Sequence, residues 1–287
     1  GHGLVYTPGE RVEGDSHFLW TVLLALPQAL RIPPVPFLKV VLALTALATA
    51  WATVRLGRAS GLTSVDPRDR WLAWAPGWLL LLTPLVIERT ADGLETIPFT
   101  LLLVMAVTWS LEENRSGRSP RLGLALAALA MMRPDGVMFA PLLFGIAAIR
   151  GARTGQLVRT ALVFVIPFTL FMLARHAYYG DWLPNTYYAK GGGEALSWSL
   201  WQNLLVFPAE NGGWAWLAAV PALVWRRSRA AAWLLLAVVA TRVAFHVWSG
   251  GEWVGRHRFL LPTLPFLYLL VIASVAALRV RPLRPYA

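Results

Sequence analysis

Arg121-Leu-Gly-Leu-Ala-Leu-Ala-Ala-Leu-Ala-Met-Met-Arg133-Pro134-Asp135-Gly136-Val-Met-Phe-Ala-Pro-Leu-Leu-Phe-Gly-Ile-Ala-Ala-Ile149 decides the architecture. Without its centre this would be one apolar run of membrane-crossing character. An Arg and an Asp flank a helix-breaking proline, and a glycine follows, so the run divides into 121–132 and 136–149 around a polar turn. Charged groups at such a depth are expensive. They are kept where they face a cavity or each other. Arg133 can grip a phosphate through two parallel N–H donors, which Lys cannot do. The plainer reading is a tight turn in which Arg133 and Asp135 pair only with each other.

The same pattern of apolar runs and polar turns extends along the chain. Runs at about 37–54, 71–87, 97–111, 121–132, 136–149, 160–177, 209–225, 230–248 and 259–278 make nine candidate spans. Residues 18–30 are too short to cross, and Pro27 lies near their end, so they read as a helix on the membrane surface. The expectation is an all-α polytopic transmembrane bundle forming one integrated domain over 1–287. In it, 1–36 is an external loop with the surface helix, 37–278 is the bundle and 279–287 is a cytoplasmic tail.

Composition agrees with a membrane chain: 57% of the 287 residues are hydrophobic, only 14% are charged, and mean hydropathy is +0.54. The net charge of +11 would suggest nucleic acid as partner for a soluble protein. Here basic residues gather in alternate loops, as expected of cytoplasmic ones: 55–70, 112–121, 150–159, 226–229 and 279–284. Loops 1–36, 88–96, 133–135, 178–208 and 249–258 then lie outside, and no nucleic-acid partner is needed. Cysteine is absent, which excludes disulfides, thiolate metal sites and Cys nucleophiles. No metalloprotease HExxH, phosphate-binding loop, GxSxG or dinucleotide glycine pattern occurs, so a cytoplasmic nucleotide-using enzyme is not expected.

The outer turns carry the chemistry-capable side chains. Tyr178-Tyr-Gly-Asp-Trp-Leu-Pro-Asn-Thr-Tyr-Tyr-Ala-Lys190 packs four Tyr, a Trp, an Asn and one of only two lysines into thirteen residues. Stacking rings, hydrogen-bonding amides and a cation suit a sugar and its phosphate, although an aromatic belt at the membrane surface has the same composition. Glu88-Arg89-Thr-Ala-Asp92-Gly93-Leu-Glu95-Thr96 offers carboxylates to a sugar or a hard cation, or is a solvated loop. Gly250-Gly251-Glu252-Trp253-Val-Gly255-Arg256-His257-Arg258 suits a phosphate or pyrophosphate head group, or interfacial anchoring. Four such turns on one face can converge on an external pocket.

Gly3-Leu-Val-Tyr-Thr-Pro-Gly-Glu-Arg-Val-Glu-Gly14 with Phe18-Leu-Trp20, then Asp92-Gly-Leu-Glu-Thr96, Arg133-Pro-Asp135, the Tyr178–Lys190 stretch, Gly250-Gly-Glu-Trp253 and Arg258-Phe-Leu-Leu-Pro262 resemble the actinobacterial terminal β-(1→2) arabinofuranosyltransferases and their bacterial relatives. The resemblance runs in the same order from the first residue to about 265. It implies a GT-C membrane glycosyltransferase of the bacterial cytoplasmic membrane. Such an enzyme passes a sugar, an arabinofuranosyl group in the family it resembles, from a polyprenyl-phosphate donor to a cell-envelope glycan on the outer face.

On this reading Arg133, Lys190 and Arg258 hold the donor phosphate. Asp92, Glu95, Asp135, Tyr179, Asp181, Asn185, Tyr188 and Glu252 bind sugar or acceptor. Membrane lipid surrounds the spans and no cofactor is required; the outer acids leave room for a divalent cation that their spacing does not demand. In GT-C enzymes the presumed base is an acid in the first external loop. This chain starts at Gly1-His2-Gly3 inside that loop, which reads as a fragment lacking its first helix and, alone, inactive. The base is then expected upstream of Gly1, and Glu10, Glu13 and Asp15 are the lesser candidates remaining in the loop. Two other classes stay open, a lipid-linked sugar transporter or flippase and a non-catalytic lipid-binding subunit. Nearly clean spans, with Arg242 the main exception, favour the enzyme.

Overall fold

A computed structural model describes residues 5, 9–14, 16–63, 67–116, 120–185, 198–224, 229–250 and 257–279. Among them the chain is all-helical, with no strand. Twelve α-helices follow in order: α1 Phe18–Ala29, α2 Pro34–Ser60, α3 Ala75–Leu82, α4 Pro84–Ala91, α5 Thr96–Ser116, α6 Arg121–Met132, α7 Phe139–Ile149, α8 Thr154–Tyr179, α9 Trp198–Glu210, α10 Val220–Val224, α11 Arg229–Trp248 and α12 Leu264–Arg279. Short 3₁₀ turns cover Pro67–Ala73, Pro134–Met138, Gly213–Ala219 and Leu261–Thr263.

Three helices are long and apolar enough to cross a membrane, α2, α8 and α11, and a fourth span arises if α4 and α5 are one broken crossing. The other expected runs appear as shorter or broken helices, and prolines account for much of this. The 71–87 run is cut into a 3₁₀ turn, α3 and α4, with Pro76 and Pro84 in the first turns of the two helices, where a missing N–H costs nothing. The 209–225 run is likewise divided: α9 ends at Glu210, a 3₁₀ turn covers Gly213–Ala219, and α-helix resumes over Val220–Val224. Inside the helices, hydroxyls are satisfied locally: Thr45, Thr49 and Thr53 each donate to the carbonyl four residues back, at 2.6–2.7 Å. This lets a Thr-bearing helix be buried without unpaired donors.

Contacts give the bundle two chemically different ends. At one, Trp20 Nε1 donates to the Gly93 carbonyl at 3.2 Å, Glu13 meets Arg175, and Glu95 meets Arg133. At the other, Arg55 pairs with Glu112, and Arg58 lies over Trp74. Helices α2 and α5 therefore run in the same direction, and α3 returns along α2, Gly77 lying against the backbone of Ala50. Helix α6 returns beside α8, with Gly123 against the Thr160 carbonyl. Helix α1, expected on the surface, packs by one side: Trp20 is buried while Leu26 stays exposed.

Close approach of α6 and α8 depends on Gly123, where an added Cβ would sit 2.6 Å from the Thr160 oxygen and 2.9 Å from Val163 Cβ. Backbone and a β-branched side chain have little freedom to yield. Gly123→Ala is expected to cost about 1–3 kcal/mol through overpacking, despite Ala being the better helix former. Thermal unfolding in mild detergent checks this; an unchanged or raised midpoint would show that the two helices can separate freely.

Candidate functional site

The break between α4 and α5 is built by Asp92-Gly93. Asp92 Oδ1 accepts from the Leu94 N–H at 2.9 Å, Oδ2 accepts from Arg89 Nη1 at 2.8 Å, and Gly93 takes φ +81°, a left-handed conformation that favours glycine. The chain turns by 119° there. Glu95 is thus set just ahead of α5, and its carbonyl accepts the Phe99 N–H at 2.9 Å. The carboxylate sits where the helix dipole favours negative charge.

A second break, at Arg133–Gly136, faces it. Arg133 is extended (φ −152°, ψ 137°), Pro134 opens the 3₁₀ turn, and the Gly136 N–H donates back to the Arg133 carbonyl at 2.9 Å. Gly136 is required by contact: a Cβ there would lie 2.3 Å from the Leu129 oxygen.

These two breaks hold a buried ionic network. Arg133 Nη1 donates to Glu95 Oε1 at 3.2 Å and its Nε to Asp135 Oδ1 at 3.0 Å. Asp135 Oδ2 accepts from Arg242 of α11, whose Nε donates to the Phe259 carbonyl. Glu95 Oε1 also accepts from Arg258 and lies 3.2 Å from His17 Nε2. Glu95, Arg133 and Arg242 are at most 2% exposed. The Arg133 guanidinium lies over Phe99 and Phe259, and that of Arg242 over Phe99, Phe245 and Phe259, so rings replace water on the faces of both cations.

Burial alone would push the Glu95 carboxyl up. Arg133, His17 and Arg258 outweigh it and hold the group below the usual carboxylate range. Asp135 behaves likewise, burial opposed and overcome by Arg133 and Arg242. Both pKa values are depressed in the folded chain. The stability the two groups contribute is therefore fully present above the unfolded carboxylate pKa of about 4 and is lost as pH falls through the folded values. His257 moves down because burial outweighs its partner Glu210, whose Oε2 is 3.2 Å from Nε2.

Glu95, Arg133, Asp135 and Arg258 are brought together. Asp92 shapes the adjoining break and pairs with Arg89. Glu13 receives Arg175 Nε at 2.7 Å, while Glu10 is exposed. Along the segment leading to His17, Arg11 lies 5.3 Å over the Tyr178 ring. Tyr179 packs edge-on against Tyr178, His176 stacks on Trp182 at 4.2 Å, and Asp181 and Asn185 are exposed beside them. Asp15, Tyr188, Lys190 and Glu252 lie outside the described residues. Sequence reasoning did not foresee His17 or Arg242 as members of the network. The signal for Arg242 was its position as a lone charge within an apolar run; His17 had none.

No protein-family model, curated protein or solved structure matches the chain. Among the described residues no group of three His, Cys, Asp or Glu side chains is placed to hold a metal ion.

Removing the Asp135 charge leaves Arg133 and Arg242 facing each other in a dry site. Asp135→Asn is expected to cost about 3–5 kcal/mol, because an uncompensated buried charge is costlier than the pair was favourable. Arg55→Gln, in a pair whose side chains are each about a third exposed, should cost no more than about 1 kcal/mol. Thermal or denaturant unfolding of both variants in one detergent checks the contrast; equal effects would show that the network is hydrated.

Proposed function

We propose that the chain is a GT-C-type membrane glycosyltransferase that transfers a sugar from a polyprenyl-phosphate donor to a cell-envelope glycan, with nine crossings of the bacterial cytoplasmic membrane and its site on the outer face. One observation carries the reading: carboxylate, guanidinium and imidazole groups from the 9–17 segment, the two helix breaks and the 257–263 turn meet at a single end, beside exposed tyrosine and tryptophan rings. The opposite end carries Arg55 and Arg58. A lipid-soluble phosphate with a sugar attached needs both a cation at the membrane surface and flat rings for the sugar.

In the proposed reaction the acceptor hydroxyl oxygen attacks the anomeric carbon and inverts it. The bond from that carbon to the phosphate oxygen breaks, polyprenyl phosphate leaves with the electron pair, and a carboxylate takes the hydroxyl proton. Of the candidate bases, Glu13 is engaged by Arg175, and Glu10 is the exposed described acid. Arg258, at the rim of the network with 11% of its side chain exposed, and Lys190 steady the leaving phosphate. Arg133, at 2% exposure and bound to two carboxylates, acts behind them by positioning Glu95 and the turn, not by touching the donor. Tyr179, Asp181, Asn185 and Tyr188 orient the sugar; Glu252 completes the acceptor side.

The orientation is tested in this Cys-free chain by single substitutions. Glu10→Cys should react with a membrane-impermeant maleimide in intact cells, and Arg150→Cys only after permeabilisation. The reverse pattern would invert the topology. For the ligand, the purified chain should retain polyprenyl phosphate over the uncharged polyprenol of equal length in native mass spectrometry. Arg258→Gln should reduce that preference at least tenfold, since a charge-assisted hydrogen bond contributes about 1.5–3 kcal/mol. No preference for the phosphate in the unaltered chain would remove the donor assignment.

A further inference from the structure

The end of the bundle opposite the ionic network carries a second organised surface. On α2, Trp51, Arg55 and Arg58 fall at i, i+4 and i+7 and share one stripe. Beside it, Trp71, Trp74 and Trp78 form a stripe from the 3₁₀ turn Pro67–Ala73 into α3. Close packing sets the stripes together: a Cβ on Gly77 would lie 3.0 Å from the Ala50 oxygen and 2.9 Å from Val54. All four indoles are open, at 54%, 57%, 47% and 61% exposure for Trp51, Trp71, Trp74 and Trp78. The Arg58 guanidinium lies 5.0 Å over the Trp74 ring and that of Arg55 lies 5.6 Å over Trp51. Glu112 engages Arg55, whereas Arg58 and Arg70 are exposed.

Four large rings left open at the charged end of a helix pair are not core residues that missed the core. Indole prefers the boundary between acyl chain and head group, where its body is apolar and its N–H meets polar atoms. A guanidinium stacked on a ring spends its face on the ring and keeps its N–H edge for an oxyanion, which phosphate accepts in a fork. Over residues 51–78 the sequence has Arg55, Arg58, Arg68 and Arg70 against Asp66 and Asp69, so the surface favours a negative partner. Its apolar rings and cationic edges together fit a single object with an acyl body and an anionic head.

We propose that this Trp51–Trp71–Trp74–Trp78 face, with Arg58 and Arg70, is a binding site for the head group of an anionic phospholipid in the leaflet at the arginine-rich end. The rings lie at the glycerol and upper acyl level, and the two guanidinium groups hold the phosphate. The proposal does not depend on the glycosyltransferase reading, since the two sites lie at opposite ends and share no residue.

The test uses the whole chain purified in a neutral detergent and presented with phosphatidylglycerol or phosphatidylcholine of identical acyl chains, with retained lipid counted by native mass spectrometry. Phosphatidylglycerol should be retained in preference. The Arg58→Gln/Arg70→Gln double variant should lower that preference by about thirtyfold, at roughly fivefold for each basic residue near an anionic surface. Arg150→Gln/Arg153→Gln removes the same charge from exposed positions in the α7–α8 connection, outside both tryptophan stripes, and should change it less than about twofold. Equal retention of the two lipids by the unaltered chain, or an equal loss in the two double variants, would overturn a localised site. Trp78→Cys reports the competing occupant: disulfide-linked dimers on oxidation in lipid vesicles would assign the face to a second copy of the chain and overturn the proposal. Both double variants lie at exposed positions, and an unchanged unfolding midpoint confirms that lipid loss is not loss of fold.

Discussion

The Arg133 guanidinium, held between Glu95 and Asp135 where water does not reach, is the constraint on which the rest of the described structure turns. An isolated ion in such a place would cost many kcal/mol, so the fold that surrounds it must bring carboxylates to it from two separate parts of the chain. That requirement fixes geometry. Glu95 can reach Arg133 only if the α4–α5 turn bends sharply, and Asp135 can reach Arg242 only if α6 and α7 are separated by a tight 3₁₀ turn instead of joined into one helix. Phe99, Phe245 and Phe259 then close over the cations, which strengthens each pairing by lowering the local dielectric and leaves no partial solution.

The same requirement explains why apolar runs of membrane length are so often interrupted. A helix continuing through 121–149 would place Arg133 and Asp135 on an apolar surface with no partner. Proline and glycine stop it, and the interruption lets both charges turn inward. The α4–α5 break does the same for Glu95. Irregular backbone at depth is tolerated where protein encloses it, and here the freed groups are taken up by the Asp92 side chain and by short 3₁₀ hydrogen bonds.

All-helical character and the division of the chain at 133–136 were legible because each is a local property of composition or periodicity. The turn at 88–96 and its acids were legible as a polar island. What could not be read was which islands touch. Nothing in the spacing says that Glu95 is the common partner of His17, Arg133 and Arg258, since these come from opposite ends of the chain and meet only through packing of α1, α5, α6 and the 257–263 turn. Helix lengths were also beyond it: hydropathy averages over a window and reads 71–87 as one run, whereas Pro76 and Pro84 divide the backbone hydrogen bonding within it. Arg133 was legible as a special residue but not as a buried one, because a phosphate grip and an internal ion pair need the same side chain beside the same proline.

That ambiguity resolves into a division of labour once exposure is known. A guanidinium buried to 2% exposure, bonded to two carboxylates and covered by rings is shielded from the surface, and releasing it would unpair Glu95 and Asp135 together. It therefore acts as a hinge pin, holding the two breaks at fixed separation. On the proposed reading, ligand chemistry at this end falls to groups that share the network's rigidity yet keep some access: Arg258 and His17 at its edge, with side-chain exposures of 11% and 22%, and the rings of Tyr178 and Trp182 beyond them. A site built this way spends its buried charges on precision and its partly exposed ones on contact. Its edge can then vary in ligand preference without disturbing the core that holds it in place.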